Sequence, residues 1–238
     1  MQETKITKDR IRNHFTYSWW KYLLLAVFAI VGWNLIYTST AYQAPKNKRL
    51  DVFFVSGSLP EETAEKMESE IIARYPEVED SQVSTIVYTA DDNYYGSIQL
   101  TTYLGAGEGD VIILPKERFD AFAVGEGFLA LDEAIADGRI DVSDMDLSRG
   151  TVTNENGKTA VYGIPATTLY GMMGSEYGID NRELIIAVLS YTQNGDTAID
   201  WLNWFVQSMK APKPEWLVEY EQKNGLAEDG EVSAIPSF

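Results

Sequence analysis

The longest feature of the hydrophobic pattern is one uninterrupted apolar run. From Tyr22 to Leu35 the chain holds no charge and one strongly polar residue, Asn34. Taken with its flanks, Ser18 to Tyr42 reads as a single helix, and about 20 apolar residues suffice to cross a bilayer. Tyr17, Trp19, Trp20 and Tyr22 crowd one end, and Trp33, Tyr37 and Tyr42 mark the other. Such aromatic belts suit the headgroup level, where one side of the ring is apolar and the other wet.

Beyond it the pattern changes to short alternating pieces. Gln43 to Lys48, with Pro45, reads as a linker. Leu50 to Val55 is a β-branched and aromatic run, stopped by Ser56-Gly57-Ser58, and predicts a strand. A helix follows from Leu59-Pro60-Glu61-Glu62, with Ser58 as cap and Pro60 in the first turn. Its buried stripe is Met67, Ile71 and Ile72, with Ala64 nearby. Gln82 to Thr89 predicts a second strand, Tyr95 to Leu104 a helix, Asp110 to Leu114 a third strand, and Lys116 to Ala123 a short helix. A loop-rich middle, Gly125 to Gly157, carries a short helix at Leu131–Asp137. Ala160 to Pro165 reads as a strand. Leu184 to Tyr191 is apolar enough for strand or helix. Asp196 to Met209 is an amphipathic helix with Ile199, Leu202, Trp204, Phe205, Val206 and Met209 on its apolar face. The C-terminal piece, rich in Pro, reads as surface wrapping. Strand and helix alternate, which predicts an α/β fold: a three-layer sheet with helices on both faces, its apolar strands suiting a parallel sheet.

Charge divides the chain in the same place. Residues 1–49 carry eight Lys/Arg against Glu3 and Asp9, a net of +6, while the remainder carries 11 Lys/Arg against 34 Asp/Glu, a net of −23. A surface of that sign repels phosphates and anionic lipid, which leaves nucleic acid out as a partner for the domain. The chain has no Cys, and its single His, His14, precedes the apolar run. Residues 50–238 therefore hold no Ser-His-Asp or Cys-His engine and no His- or Cys-ligated zinc.

Four further stretches carry a resemblance. Gly109-Asp110-Val111-Ile112-Ile113-Leu114, Phe119 with Gly127-Phe128-Leu129-Ala130-Leu131-Asp132-Glu133, Val161-Tyr162-Gly163-Ile164-Pro165, and Ile185–Tyr191 followed by Asp196-Thr197-Ala198-Ile199-Asp200-Trp201-Leu202 occur in that order. The chain resembles the bacterial extracellular solute-binding proteins of ABC transporters, of the type II periplasmic-binding-protein fold. The third stretch is similar to that family's crossover strand, and the fourth to its return strand and the helix after it. The resemblance implies a small-molecule solute and, as membrane partner, an ABC-type permease. One departure stands out. The family's second lobe lies between crossover and return strands, where this chain has only the 18 residues 166–183. The chain reads as a single lobe, with a helix in place of a lipidated Cys.

In open α/β sheets ligands bind beyond the carboxyl ends of strands. The candidate ligand-binding residues are therefore Ser56, Ser58, Asp92, Tyr94, Tyr95 and Lys116. The alternative is that Ser58 and Asp92 or Asn93 cap helices and the tyrosines pack on loops. Asp144, Asp146, Ser148 and Glu155 fall at positions 1, 3, 5 and 12 of a calcium loop, but Arg149 stands where its turn needs Gly, so an acidic surface loop is expected. Gly105 to Gly109 precedes a strand and is expected to be a turn, not a phosphate loop. No metal, cofactor or catalytic residue is expected.

The organisation expected is a basic cytoplasmic segment at 1–17, a transmembrane helix at 18–42, a linker at 43–49 and an extracytoplasmic domain at 50–238. Three functions stay open: an accessory of a membrane complex or transporter, a solute receptor, and a carboxylate-based hydrolase. A retained anchor is expected, with cleavage after Ser39-Thr40-Ala41 as the alternative. Five basic residues before the apolar core of the run against three after it predict the N-terminus inside. Protease added to intact cells is then expected to remove epitopes beyond residue 50, whereas full protection of a tag after Phe238 contradicts this orientation.

Overall fold

The computed structural model describes residues 8–40, 42, 44–88 and 94–224. It divides into two compact units, residues 1–43 and 44–238. The first contains one helix, α1 (Lys8–Thr40). The stretch Ser18–Thr38 is long and apolar enough to cross a membrane. The helix starts well before the apolar run, because the Lys and Arg residues ahead of it are good helix formers and extension costs less than a new nucleus.

The second unit is a five-stranded sheet between helices. Its elements are β1 (Arg49–Ser56), α2 (Glu61–Arg74), β2 (Asp80–Val87), α3 (Tyr94–Gly105), β3 (Val111–Pro115), α4 (Lys116–Val124), α5 (Asp132–Ala136), β4 (Thr151–Thr153), β5 (Thr159–Val161), β6 (Ile164–Pro165), β7 (Leu184–Val188), α6 (Gly195–Met209) and α7 (Glu215–Asn224). Strand order is β2-β1-β3-β7-β6, with β4 and β5 forming a separate hairpin.

Period-2 alternation splits each central strand between two cores. Leu50, Val52 and Phe54 of β1, Val111 and Ile113 of β3, and Ile186 and Val188 of β7 meet α2 and α6 on one face. Phe53 and Val55, Ile112 and Leu114, and Ile185 and Ala187 meet α3 and α4 on the other. This is the three-layer α/β arrangement expected.

Several expectations are corrected. The sheet is mixed: β1 runs parallel to β2 and β3, but β7 is antiparallel to both β3 and β6. An apolar run buried on both faces is compatible with either sense, and the connection decides it. Leu184–Tyr191 resolves as strand, ending at Val188. The single strand expected at 160–165 is two, since Tyr162-Gly163 carries the chain from the hairpin into the main sheet. Pro60 occupies the N-cap of α2, and no side chain caps it, Ser58 included. The buried stripe is Thr63, Met67 and Ile71, spaced by four, which turns Ile72 outward. Trp201, absent from the expected face of α6, is its largest fully buried side chain, stacked on Phe205 at 5.0 Å. The C-terminal piece contains a helix, α7, anchored by the buried Leu217.

Gly163 explains its place in the crossover motif. A Cβ there would stand 2.4 Å from Ile185 Cγ2 and 2.8 Å from Phe119 Cε2. Gly163→Ala is expected to lower stability by about 1–3 kcal/mol, as overpacking of a tight core does. Gly57→Ala, where a Cβ meets nothing within 4 Å, serves as the reference. Equal melting of the two variants contradicts this packing.

Candidate functional site

Two surfaces at opposite ends of the sheet concentrate polar chemistry. The carboxyl ends of β1, β2 and β3 form the first. Ser56 closes β1, and its carbonyl accepts from the Tyr88 N–H at 2.9 Å. Arg118, on α4, donates through Nε to the Tyr88 hydroxyl (2.7 Å) and through Nη2 to Ser97 Oγ (2.9 Å). Its guanidinium also lies 5.1 Å from the centre of the Tyr88 ring, so one charge ties β2, α3 and α4 together at this end.

The expected site residues divide here. Ser56 and Lys116 lie at the ends of neighbouring strands. The Lys116 ammonium donates to Asp120 within its own helix (2.6 Å), and its backbone N–H pairs with the Glu183 carbonyl. That charge is engaged internally. Ser58 is exposed on the loop after β1. Tyr94 and Tyr95 open α3 with their rings edge-on at 5.5 Å, and both are mostly exposed. Asp92 lies outside the described residues. Among the described residues this end presents the hydroxyls of Ser56 and Ser58 and the rings of Tyr94 and Tyr95.

The second surface is a cleft of about 230 Å³ lined by Lys46, Arg49, Asp51, Glu108, Asp110, Tyr191 and their neighbours. It lies at the amino end of β1, about 23 Å from Ser56 along the eight-residue strand. Asp51 and Asp110 are both buried. Burial holds the Asp51 carboxyl above the ordinary carboxylate range, although its bonds to Arg49 pull the other way. Asp110 accepts from the Asp51 N–H at 2.9 Å, from Thr192 Oγ1, and from Asn194 Nδ2 at 3.2 Å. Asn194 Nδ2 also donates to the carbonyls of Lys46 (2.7 Å) and Arg49 (2.6 Å). Lys46 donates to the Gly107 carbonyl and pairs with Glu108 at 3.2 Å. Burial raises the Tyr191 phenol, with the Asp110 and Glu108 carboxylates adding to the shift, and the hydroxyl donates to the Glu108 carbonyl. The arrangement is a staple: donors and acceptors pair with one another and fasten the first residues of the unit to β3 and the loop after β7.

Sequence reading passed over this cleft. The signal was present, since Asp51 interrupts an apolar strand and Asp110 abuts another. A buried acid requires designated donors.

The acidic loop separates into local turns. Asp141 accepts from Ser143, Asp144 from Lys210, and Asp146 from Ser148. These contacts hold all three carboxyls below the ordinary range: the Ser143 hydroxyl at Asp141, the Lys210 ammonium at Asp144, and first the Ser148 backbone N–H at Asp146. Glu155 sits in the β4–β5 turn, its N–H on the Val124 carbonyl. Among the described residues no three His, Cys, Asp or Glu side chains converge as metal ligands.

No family model and no curated protein matches the sequence. Over about half its length the chain is similar to ABC-type solute-binding proteins of known structure. An extracellular solute-binding protein family 1 member from Alicyclobacillus acidocaldarius is 21% identical, with a TM-score of 0.38, over 49% of this chain and 27% of its own. The galacto-N-biose-/lacto-N-biose I-binding protein from Bifidobacterium longum is 13% identical, with a TM-score of 0.37, over 52% and 29%. The ABC substrate-binding protein Lmo0181 from Listeria monocytogenes, in complex with cycloalternan, is 20% identical, with a TM-score of 0.33, over 48% and 28%. The chain thus spans less than a third of the length of each of these proteins.

The staple generates a stability prediction. Asn194→Ala removes a side-chain amide whose two N–H groups are shared among three acceptors and is expected to cost about 1–3 kcal/mol, at roughly 1 kcal/mol per bond plus the cost of acceptors left short of a donor. The full chain would then melt about 2–10 °C lower, and amides 48–52 would exchange faster. Unchanged melting and exchange would show that the staple does not hold the entry segment.

Proposed function

We propose that this chain is a membrane-anchored extracytoplasmic interaction module, built like one lobe of a solute-binding protein and serving as an accessory of a membrane complex. An ABC-type permease is the partner class that the sequence resemblance favours. The module is read as a binding protein: residues 50–238 contain neither His nor Cys, which removes Ser-His-Asp and Cys-His chemistry and leaves carboxylate chemistry as the enzymatic alternative. Its interaction face is the strand-end surface of Ser56, Ser58 and Lys116, with Tyr94 and Tyr95 at the start of α3.

One observation carries this reading. The 18 residues between crossover strand β6 and return strand β7 form no second lobe. They fold into the first. Ala166, Leu169, Met172, Tyr177 and Ile179 are buried in the core beneath α2 and α6. Thr63 Oγ1 of α2 donates to the Glu176 carbonyl at 2.7 Å, and the Tyr177 ring meets Phe205 edge-on at 6.3 Å. The segment lies at this same carboxyl end of the sheet, where the Glu183 carbonyl accepts from the Lys116 N–H and Glu176 pairs with Lys66 of α2, and it packs down into the one core instead of standing opposite the strand ends as a second wall.

An open face penalises a small ligand. Buried pockets enclose about 70–90% of a ligand's surface. Leaving about 100–150 Å² of apolar ligand surface wet forfeits about 2.5–4 kcal/mol at roughly 25 cal/mol per Å². That is about two to three powers of ten in Kd. The same open face is available to a protein. Anchoring is supported by Ser18–Thr38, which is long and apolar enough to cross a membrane, and the positive-charge asymmetry favours the domain outside.

Calorimetry of the full chain in mild detergent against sugars, amino acids and peptides tests the reading. No solute is expected to bind more tightly than roughly micromolar, the loss estimated above. A submicromolar solute would contradict the accessory role and establish a receptor instead.

A further inference from the structure

One exposed α-helix of the acidic domain carries no charge. From Ser81 to Gly107 the only charged residues are Asp91 and Asp92. The helix within that stretch, α3, carries no charged residue, whereas α2 carries five Glu with Lys66 and Arg74, and α6 carries Asp196 and Asp200. The outer face of α3 is exposed all the same. Tyr94 is 67% exposed, Tyr95 75% and Ile98 49%, with Val87 of edge strand β2 at 53%.

The remaining polar groups on this face turn inward on the helix. Thr101 Oγ1 donates to the Ser97 carbonyl at 2.8 Å, and Thr102 Oγ1 to the Ile98 carbonyl at 2.7 Å. Their hydroxyls are spent on the backbone. The outward surface is rings, an isoleucine and threonines with satisfied hydroxyls, with Gln99 among them. Interface cores have this composition, rich in Tyr and depleted of charge.

We infer that α3 and the adjoining edge of β2 form a two-fold interface with a second copy of this chain. Charge selects the occupant. A basic partner would be drawn to the acidic faces, such as that of α2, and would gain nothing from a neutral one. A partner of the same sign must meet the domain where charge is absent. With residues 50–238 at −23, a second copy is such a partner, and a two-fold axis brings the same neutral face against itself. Twelve residues of helix span about 18 Å, long enough for two α3 helices to pack side by side. The two tyrosines alone, at about 150–250 Å² each when covered, supply roughly 300 Å² per copy. That is more than a third of the roughly 800 Å² per partner of a standard interface. Tyr94 and Tyr95 also border the interaction face proposed above, so a second copy seated on α3 takes that edge and leaves Ser56, Ser58 and Lys116 for a membrane partner.

The absence of Cys makes the test clean. Tyr95→Cys, Gln99→Cys and Thr102→Cys follow one face of α3 at i, i+4 and i+7, and Ser69→Cys on exposed α2 is the reference. Each full-length variant is treated in native membranes with a short bis-maleimide. At least one α3 position is expected to give a covalent species of twice the chain mass, at ten or more times the yield of Ser69→Cys. Adding Ile98→Asp, at an exposed position that folding tolerates, is expected to reduce that yield at least tenfold with unchanged melting. The dimer fraction of the unmodified chain in detergent is expected to rise with salt, as repulsion between like-charged copies is screened. No dimer at any α3 position, equal yield at Ser69→Cys, or a dimer fraction that falls with salt would overturn the inference. Cross-linking of α3 to a protein of different mass would overturn the second copy as occupant.

Discussion

The domain depends on β7. All five of its residues, Leu184 to Val188, are buried, and it lies between β3 and β6, antiparallel to both. A strand in that position must satisfy backbone groups on two edges and side chains on two faces at once, so its register tolerates no slip. The 18-residue connection from β6 has to return the chain to that register. It does so by contributing to the core as it turns, with Leu169 and Met172 buried and the Asn181 amide donating to the Ala166 carbonyl at 2.7 Å. The connection is a structural part of the lobe. It occupies the carboxyl end of β3, where Glu183 accepts from the Lys116 N–H, while the amino end of β1 is stapled by Asp110 and Asn194.

Much of this was legible in the residues, for identifiable reasons. The alternation in Leu50–Val55 and Val111–Leu114 predicts strands, and burial of both parities predicts helices on both faces. Strand direction was not legible, because periodicity records which face a side chain takes and carries no sign for direction. β7 reads as apolar in either sense. The stripe of α6 was read through Trp204, yet the 3.6-residue period places Ala198, Trp201, Leu202 and Phe205 together. Trp204 sits at the margin, where the Arg74 guanidinium lies 4.6 Å from its ring centre. Gly163 was recognised as part of a motif, but only the geometry, with Ile185 and Phe119 against its Cα, supplies the reason.

The candidate site was legible in part. Strand-end reasoning selected Ser56 and Lys116, and these do lie at neighbouring strand ends. It could not foresee that Asp120 would engage Lys116, nor that Arg118 and Tyr88 would organise the same end, because both depend on the helix turn after β3. The staple was missed because its members come from three separate stretches of sequence, joined only when β1, β3 and β7 pair. Conversely, the calcium-like spacing of Asp144 to Glu155 dissolved once Glu155 was carried into the β4–β5 turn. Spacing within a loop constrains a site only where the loop is continuous.

The account rests on residues 166–183 being an integral part of a single lobe. Native-state hydrogen exchange on the full chain in detergent tests this most directly. The amides of Ala166, Met172, Ile179 and Leu184 donate to the carbonyls of Leu184, Leu169, Met172 and Asn181. They are predicted to exchange only through global unfolding, with the same protection as the β3 amides. Exchange of these amides on the timescale of exposed loops, while β3 stays protected, would mean that the segment is a loose remnant, and would contradict the single sealed lobe on which the proposed function depends.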